Sequence, residues 1–232
     1  MKTKYIWGLL GNISIGISIL VLTGIIAAYA GGYRIELSER KITQTGQIAL
    51  SYTPKDAIAL IGGEIYTSNI PLKAEQKNPG EYVIEVSKQG YKTWKKSVKL
   101  EAGQTLHYTS IVLFYDNPVI DDTTYASDDA LLSQLDQEYS NSNFTIINKN
   151  ELWYGDNLVT RYSTDIYKPS LYPDNQHISL ITGGKFHIID TDGSNDQALF
   201  DINEQSKYVF INNGTSVLIQ DQDSVKVYHI RD

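Results

Sequence analysis

From Tyr5 to Tyr33 the chain carries no charged residue, and Ile13 to Ala30 is close to continuously apolar. At about 1.5 Å of rise per residue, such a run crosses the ~30 Å hydrocarbon layer of a bilayer. It therefore reads as a membrane-spanning helix or a signal sequence. Lys2 and Lys4 precede it. Basic flanks stay cytoplasmic, which predicts an N terminus inside the cell and a body outside the cytoplasmic membrane. Ala28, Tyr29 and Ala30 form the A-x-A pattern of a signal-peptidase site, followed by Gly31 and Gly32. The apolar run is longer than the core of about 7 to 15 residues typical of a signal peptide, so a retained single-pass anchor is expected, with cleavage as the alternative. Gly8, Gly11 and Gly16 make no strict small-xxx-small repeat, and self-association into a homo-oligomer stays open.

Charge is spread unevenly over the rest. Residues 1–34 hold three basic and no acidic side chains, residues 35–115 ten and eight, and residues 116–232 seven and nineteen. A body this acidic argues against nucleic-acid binding, which needs a basic surface. The absence of cysteine excludes disulfides, thiol catalysis and thiolate metal sites. Seventeen tyrosines against one methionine, with isoleucine, valine and threonine plentiful, point to β structure.

The first soluble module is expected at residues 45–114, as a small antiparallel β-sandwich of seven short strands. Ile48, Leu50 and Tyr52 alternate with Ala49, Ser51 and Thr53 up to Pro54; Ala57 to Ile61 ends at the hairpin glycines Gly62 and Gly63, and Glu64 to Tyr66 returns. Tyr82, Ile84 and Val86 alternate in the same way. Trp94, Val98 and Leu100 share one face of a further strand, with Thr93, Lys95, Ser97 and Lys99 on the other, and Leu106 to Phe114 completes the set.

TPKDAIALIGGEI (Thr53 to Ile65), PGEYVIEVSKQGYKTW (Pro79 to Trp94) and LEAGQT (Leu100 to Thr105) together resemble the PEGA domain, a small β-sandwich of exported and surface-layer-associated proteins. The most specific part is PG-x-Y followed by K-x-GY-x-x-W. The sequence departs from the family at SNIP, Ser68 to Pro71, where the usual Gly-x-Thr-Pro keeps only its proline. The resemblance covers under a third of the chain and implies a non-catalytic module for surface attachment or protein contact.

Two features of this module have both a ligand-facing and a structural reading. Trp94 stacks on sugar rings if exposed, or fills the core, as its parity with Val98 and Leu100 favours. Lys88, Lys92, Lys95, Lys96 and Lys99 are the one basic cluster. They meet an anionic envelope surface, or they guard a strand edge against aggregation.

Residues 115–143 read as an acidic linker. Asp116, Asp121, Asp122, Asp128, Asp129, Asp136 and Glu138 occur there without a basic partner, and their spacing fits no known calcium loop. Ala130 to Leu135 suits a short helical turn.

Residues 144–232 return to β alternation in three sets: Phe144 to Ile147, Leu152 to Tyr154 and Leu158 to Arg161; Ile178 to Ile181, Phe186 to Ile189 and Ala198 to Phe200; Tyr208 to Ile211, Val217 to Ile219 and Val225 to Ile230. Leu152, Phe186 and Val225 recur at spacings of 34 and 39 residues. YPDNQHISLI (Tyr172 to Ile181) and KFHIIDTDGSND (Lys185 to Asp196) resemble TolB-like or WD40-like propeller repeats. Three partial blades cannot close a ring of four to eight. An open, truncated arrangement is expected, completed if at all by another chain.

Chemistry is harder to find. Asp190, Asp192, Asn195 and Asp196 surround Gly193, yet the loop is shorter than an EF-hand and lacks its terminal glutamate, so a β-turn is expected. His107, His177, His187 and His229 are scattered, and no nucleophile elbow, phosphate loop or dinucleotide fingerprint occurs. The fold class expected is therefore an N-terminal transmembrane helix followed by all-β modules. The function expected is that of a non-enzymatic, extracytoplasmic surface protein without a cofactor or metal. Its expected partners are the cytoplasmic membrane bilayer and a cell-envelope protein or surface polymer. The alternative is a cell-wall or surface-glycan binding protein that uses exposed aromatics and the Lys88 to Lys99 cluster.

Overall fold

The computed structural model describes residues 2–36, 41–67, 70–121, 133, 135, 143–221 and 224–232. Ser68 of the SNIP segment and the linker carboxylates Asp122, Asp128, Asp129, Asp136 and Glu138 lie outside them, as does most of Ala130 to Leu135. One helix, α1 (Lys2–Ala30), is followed by strands alone apart from one short 3-10 turn, Asn212–Gly214, among the named elements.

The chain divides into two compact units, one of Met1–Leu50, Pro71–Tyr82 and Ser97–Tyr108, the other of Ser51–Ile70, Val83–Lys96 and Thr109–Asp232. The division passes through four strands, β3 (Gly46–Thr53), β7 (Gly80–Ser87), β8 (Trp94–Leu100) and β9 (Thr105–Val112).

In the first unit, residues Asn12–Ala30 of α1 are long and apolar enough to cross a membrane, and none of that span is buried. A hairpin of β1 (Tyr33–Glu36) and β2 (Lys41–Gln44) follows directly, with Tyr33 opposite Gln44 and Ile35 opposite Ile42. Its open end is fastened to the helix terminus: Thr45 N donates to Gly32 O at 2.9 Å, and Gln44 Nε2 to Gly31 O at 3.0 Å. A three-stranded sheet in the order β6–β3–β9 includes β6 (Leu72–Lys77). Ile48 faces Ala74 and Leu50 faces Leu72 across it, and all four are buried.

In the second unit, β4 (Ile58–Ile61) and β5 (Glu64–Tyr66) join the order β5–β4–β7–β8. Ala59 pairs with Val86 and Ile61 with Ile84, all four fully buried, while Leu60, Ile65 and Glu85 take the opposite face of the pleat. The strand segments named in the sequence between Ile48 and Phe114 are present as β3, β4, β5, β7, β8 and β9, and β6, which no segment named, is the seventh.

Three further antiparallel sheets lie in the same unit. The first comprises β11 (Phe144–Ile147), β12 (Glu151–Tyr154) and β13 (Asn157–Arg161). The second comprises β14 (Ile166–Leu171), β15 (His177–Thr182), β16 (Lys185–Asp190) and β17 (Gln197–Asp201). The third runs β10–β20–β19–β18, from β10 (Val119–Asp121), β18 (Lys207–Ile211), β19 (Ser216–Asp221) and β20 (Ser224–His229). These are the three expected strand sets, enlarged by β14 and by β10. Among the described residues they do not close a ring.

The second and third sheets share an aromatic core. Phe186 stacks on Phe200 at 5.0 Å between ring centroids and meets Tyr208 edge-on at 4.9 Å, and Phe200 stacks on Tyr228 at 4.1 Å. Val112 and Phe114, at and just beyond the end of β9, belong to the same buried cluster. Tyr172, 1 % exposed, donates its hydroxyl to Gly214 O at 2.6 Å and accepts from Arg231 Nε. Leu135 is buried against Leu218 and Val227, on the other face of β19 from Val217 and Ile219. Phe186 is fully buried among rings that cannot collapse into the space it would leave. Phe186→Ala should therefore cost roughly 3–5 kcal/mol, read as a lowered denaturation midpoint of the full chain in detergent, whereas Ile65→Ala at an exposed position should leave the midpoint within about 0.5 kcal/mol of the parent.

Candidate functional site

Among the described residues, a dense polar cluster forms at the turn after β16, within the second unit. Gly193, at φ +82°, lets the backbone reverse, and its N donates to Asp190 O at 2.8 Å. A Cβ here would lie 2.0 Å from Val159 O, so the turn presses on β13 where only glycine fits. Asp192 accepts from Ser194 N at 3.1 Å, which is the turn chemistry expected of Asp-x-Ser.

The Asp190 carboxylate is the hub. Its Oδ2 accepts from Trp94 Nε1 at 3.2 Å, Ser194 Oγ at 3.0 Å and Asn195 Nδ2 at 2.9 Å, while Oδ1 lies 3.3 Å from His177 Nε2. On its other side His177 Nδ1 meets Asp174 Oδ2 at 2.7 Å. Burial alone would lower the imidazole's pKa, but its hydrogen bonds to Asp174 and Asp190 outweigh that and raise it to about 9. The ring is therefore a cation at neutral pH, and it holds Asp174 below the usual carboxylate range in spite of that group's own burial.

β8 meets the same turn with backbone and side chains. Lys95 N donates to Asn195 Oδ1 at 2.8 Å, and Lys96 Nζ reaches Asp192 Oδ2 and, at 3.1 Å, Ser194 Oγ. Lys96 shares pleat parity with Trp94, so it points to the inner side and is largely covered. Asp196 is engaged by His187 Nδ1 at 2.7 Å and Tyr162 Oη at 2.9 Å. Every carboxylate of the loop thus has a partner within the protein. The oxygens that suggested a cation loop are committed to indole, imidazole, amide and ammonium donors, and no group of three or more metal-ligating side chains is assembled among the described residues.

The remaining sequence-selected residues are placed as follows. Trp94 is 3 % exposed, so its ring offers no face for sugar stacking and the exposed-aromatic reading does not hold for it. Lys88 pairs with Asp56 at 3.0 Å and approaches Asp232 at 3.8 Å; Lys95 pairs with Glu85 at 2.6 Å. Lys92 donates its backbone N to Phe114 O at 2.8 Å. In the first unit Lys99 is 4.0 Å from Glu101. Four of the five lysines therefore have a carboxylate close by.

Sequence reasoning passed over a second fastening. The Asp232 side chain accepts from the hydroxyls of Tyr91 and Tyr115, and Tyr115 N donates to Ile230 O at 2.8 Å. Asp116 N donates to Gly90 O at 3.0 Å and Leu113 N to Thr53 O at 2.9 Å. The hydrogen bond to Asp232 and burial raise the Tyr115 pKa, as burial with the same carboxylate raises that of Tyr91. Partners this distant along the chain leave no local sequence pattern.

Two outcomes test this account. His177 has a folded pKa near 9 against about 6.5 unfolded, so its stabilisation is complete below pH 6.5 and declines as pH rises to 9. Denaturation of the full chain should show a loss on the order of 3 kcal/mol across that window, and His177→Gln should flatten it; an unchanged slope in the variant would contradict the assignment. Asp190→Ala leaves a buried imidazolium with one carboxylate and should cost roughly 3–5 kcal/mol. Lys99→Ala, which removes an exposed pair, should stay within about 0.5 kcal/mol.

None of the curated proteins compared with the chain matches it. A family model for the PEGA domain matches residues 45–111, the segment that forms β3 to β9 and carries the Trp94, Lys95 and Lys96 contacts to the Asp190 turn.

Proposed function

We propose that the protein is a membrane-anchored, extracytoplasmic surface protein that acts by attachment and contact rather than by catalysis. The observation that carries this reading is the span Asn12–Ala30: it is apolar, long enough to cross a bilayer, and none of it is buried in the protein. A core helix would bury one face; an unburied apolar helix of this length needs lipid. Lys2 and Lys4 ahead of it favour a cytoplasmic N terminus and a single pass. The PEGA match at residues 45–111 supports a surface or extracellular module. The three sheets built from residues 144–232 and β10 fit an open, blade-like platform whose acidic turn is tied to the PEGA segment.

In the native host, alkaline carbonate should leave the protein in the membrane pellet. Protease added to intact cells should remove the body. Survival of the body in intact cells, with loss on permeabilisation, rejects the orientation. Mass analysis of the isolated protein should find residues 1–30 retained; a chain beginning at Gly31 would make the helix a cleaved signal and remove the anchor.

A further inference from the structure

The hairpin β1–β2 displays its apolar residues outward. Ile35 is 70 % exposed, Ile42 66 % and Tyr33 45 %, and the alternation with the strand register places all three on one face, Ile35 directly opposite Ile42. Arg34 and Lys41 occupy the other face. A two-stranded ribbon with a bare isoleucine pair is a liability in water. Its position explains the exposure. The bonds from Thr45 to Gly32 and from Gln44 to Gly31 tie its base to the end of α1, and the isoleucine pair lies two positions out, about 7 Å at strand rise. The headgroup layer on each side of a bilayer is roughly 5–7 Å deep, so the pair cannot leave the neighbourhood of that layer while α1 spans the membrane.

Two further groups at the same level suit an interface. The Arg34 guanidinium lies 3.8 Å from the centre of the Tyr29 ring and donates to Tyr29 O at 2.9 Å, a cation held at a helix C terminus beside an aromatic ring. An open, polar cleft of about 350 Å³ beside it is lined by Arg34, Gln44, Gln47, Glu75, Gln76 and Gln104 among others, a donor-rich surface suited to phosphate and glycerol oxygens.

We propose that the β1–β2 hairpin is a membrane foot: its Tyr33, Ile35 and Ile42 face is seated in the interfacial layer of the bilayer that α1 crosses, and Arg34 with the glutamine-lined cleft meets the headgroups. The foot rests on the anchor reading. It fixes the tilt of the first soluble unit at the membrane, which a lone helix leaves free to swivel.

The cysteine-free sequence allows single labels in the full chain, reconstituted in phosphatidylcholine–phosphatidylglycerol vesicles. A polarity-sensitive fluorophore is placed at Ile42→Cys, at Lys41→Cys on the opposite face, and at Ile19→Cys within α1, and each is quenched by shallow and deep nitroxide lipids and by aqueous iodide. The Ile42 label should lose roughly half its emission to the shallow lipid and resist iodide, while the Lys41 label behaves the other way. The Ile19 label should respond to the deep lipid. If Ile19 is lipid-quenched and Ile42 responds only to iodide, the foot is wrong and the anchor stands. If Ile19 shows no lipid quenching, the anchor reading fails and takes the foot with it. An Ile42 label shielded from iodide but untouched by lipid quenchers, in proportion to protein density, assigns the face to a second copy of the chain and overturns the proposal.

Discussion

A carboxylate placed between a buried imidazolium and a buried indole is costly unless its oxygens are hydrogen-bonded, and both oxygens of Asp190 are engaged: His177 on one, Trp94, Ser194 and Asn195 on the other. The rest of the second unit is arranged by that requirement. Trp94 must come from β8 at the height of the turn, His177 from the start of β15, and Gly193 must let the chain reverse against Val159 O. An apolar cluster of the same volume would hold these elements together as strongly. It would not dictate which residue of β8 faces which atom of the turn, and charge-assisted hydrogen bonds of fixed direction do.

The second fastening works by different means. Backbone bonds from Leu113, Tyr115 and Asp116 reach Thr53, Ile230 and Gly90, so residues just past β9 are shared between segments that the sequence treats as separate modules. Val112 and Phe114 then carry that strand into the aromatic core of the repeat sheets. Residues 83–96 of the PEGA segment thereby fall in one compact unit with residues 109–232. The strand series ending at Phe114 and the acidic stretch beyond it suggest a boundary near residue 115, which the backbone bonds of Leu113, Tyr115 and Asp116 cross.

Period-two alternation made most strands legible, since each half-buried strand writes its own pattern: Ile48, Leu50 and Tyr52 in β3 and Phe186 with Ile188 in β16 are buried as the alternation requires. β14 was not legible, because Pro169 within it argues against a strand. It is accommodated at the edge of its sheet by a register shift between Tyr167 and Ser170, with Lys168 at φ +49°. β6 hid behind Lys73, Glu75 and Lys77, although Leu72 and Ala74 are buried. β10 could not be found locally at all, since its partner β20 lies more than a hundred residues away. The site shows the same division. The turn at Asp192 and Gly193 was visible as turn chemistry, whereas its neutralisation by Trp94, Lys96 and His177 depends on pairings of nearly a hundred residues and on a histidine no motif marks.

Internal neutralisation also limits how the body can contact anything else. The carboxylates of the acidic turn and four of the five clustered lysines have partners of opposite charge or hydrogen-bond donors close by, and Trp94 is covered. Recruiting Lys96 or the carboxylates of the acidic turn for a ligand would break pairs that are partly desolvated, a cost that the exposed Lys99–Glu101 pair does not incur. Exposed apolar residues carry no such cost. On the second unit these include Ile58, Ile65 and Val83, which share the outer face of β4, β5 and β7. On the first they include Ile35 and Ile42 beside the helix. Contact through such faces follows buried area rather than ionic strength, because the hydrophobic contribution scales with apolar surface removed from water and screening by salt does not weaken it.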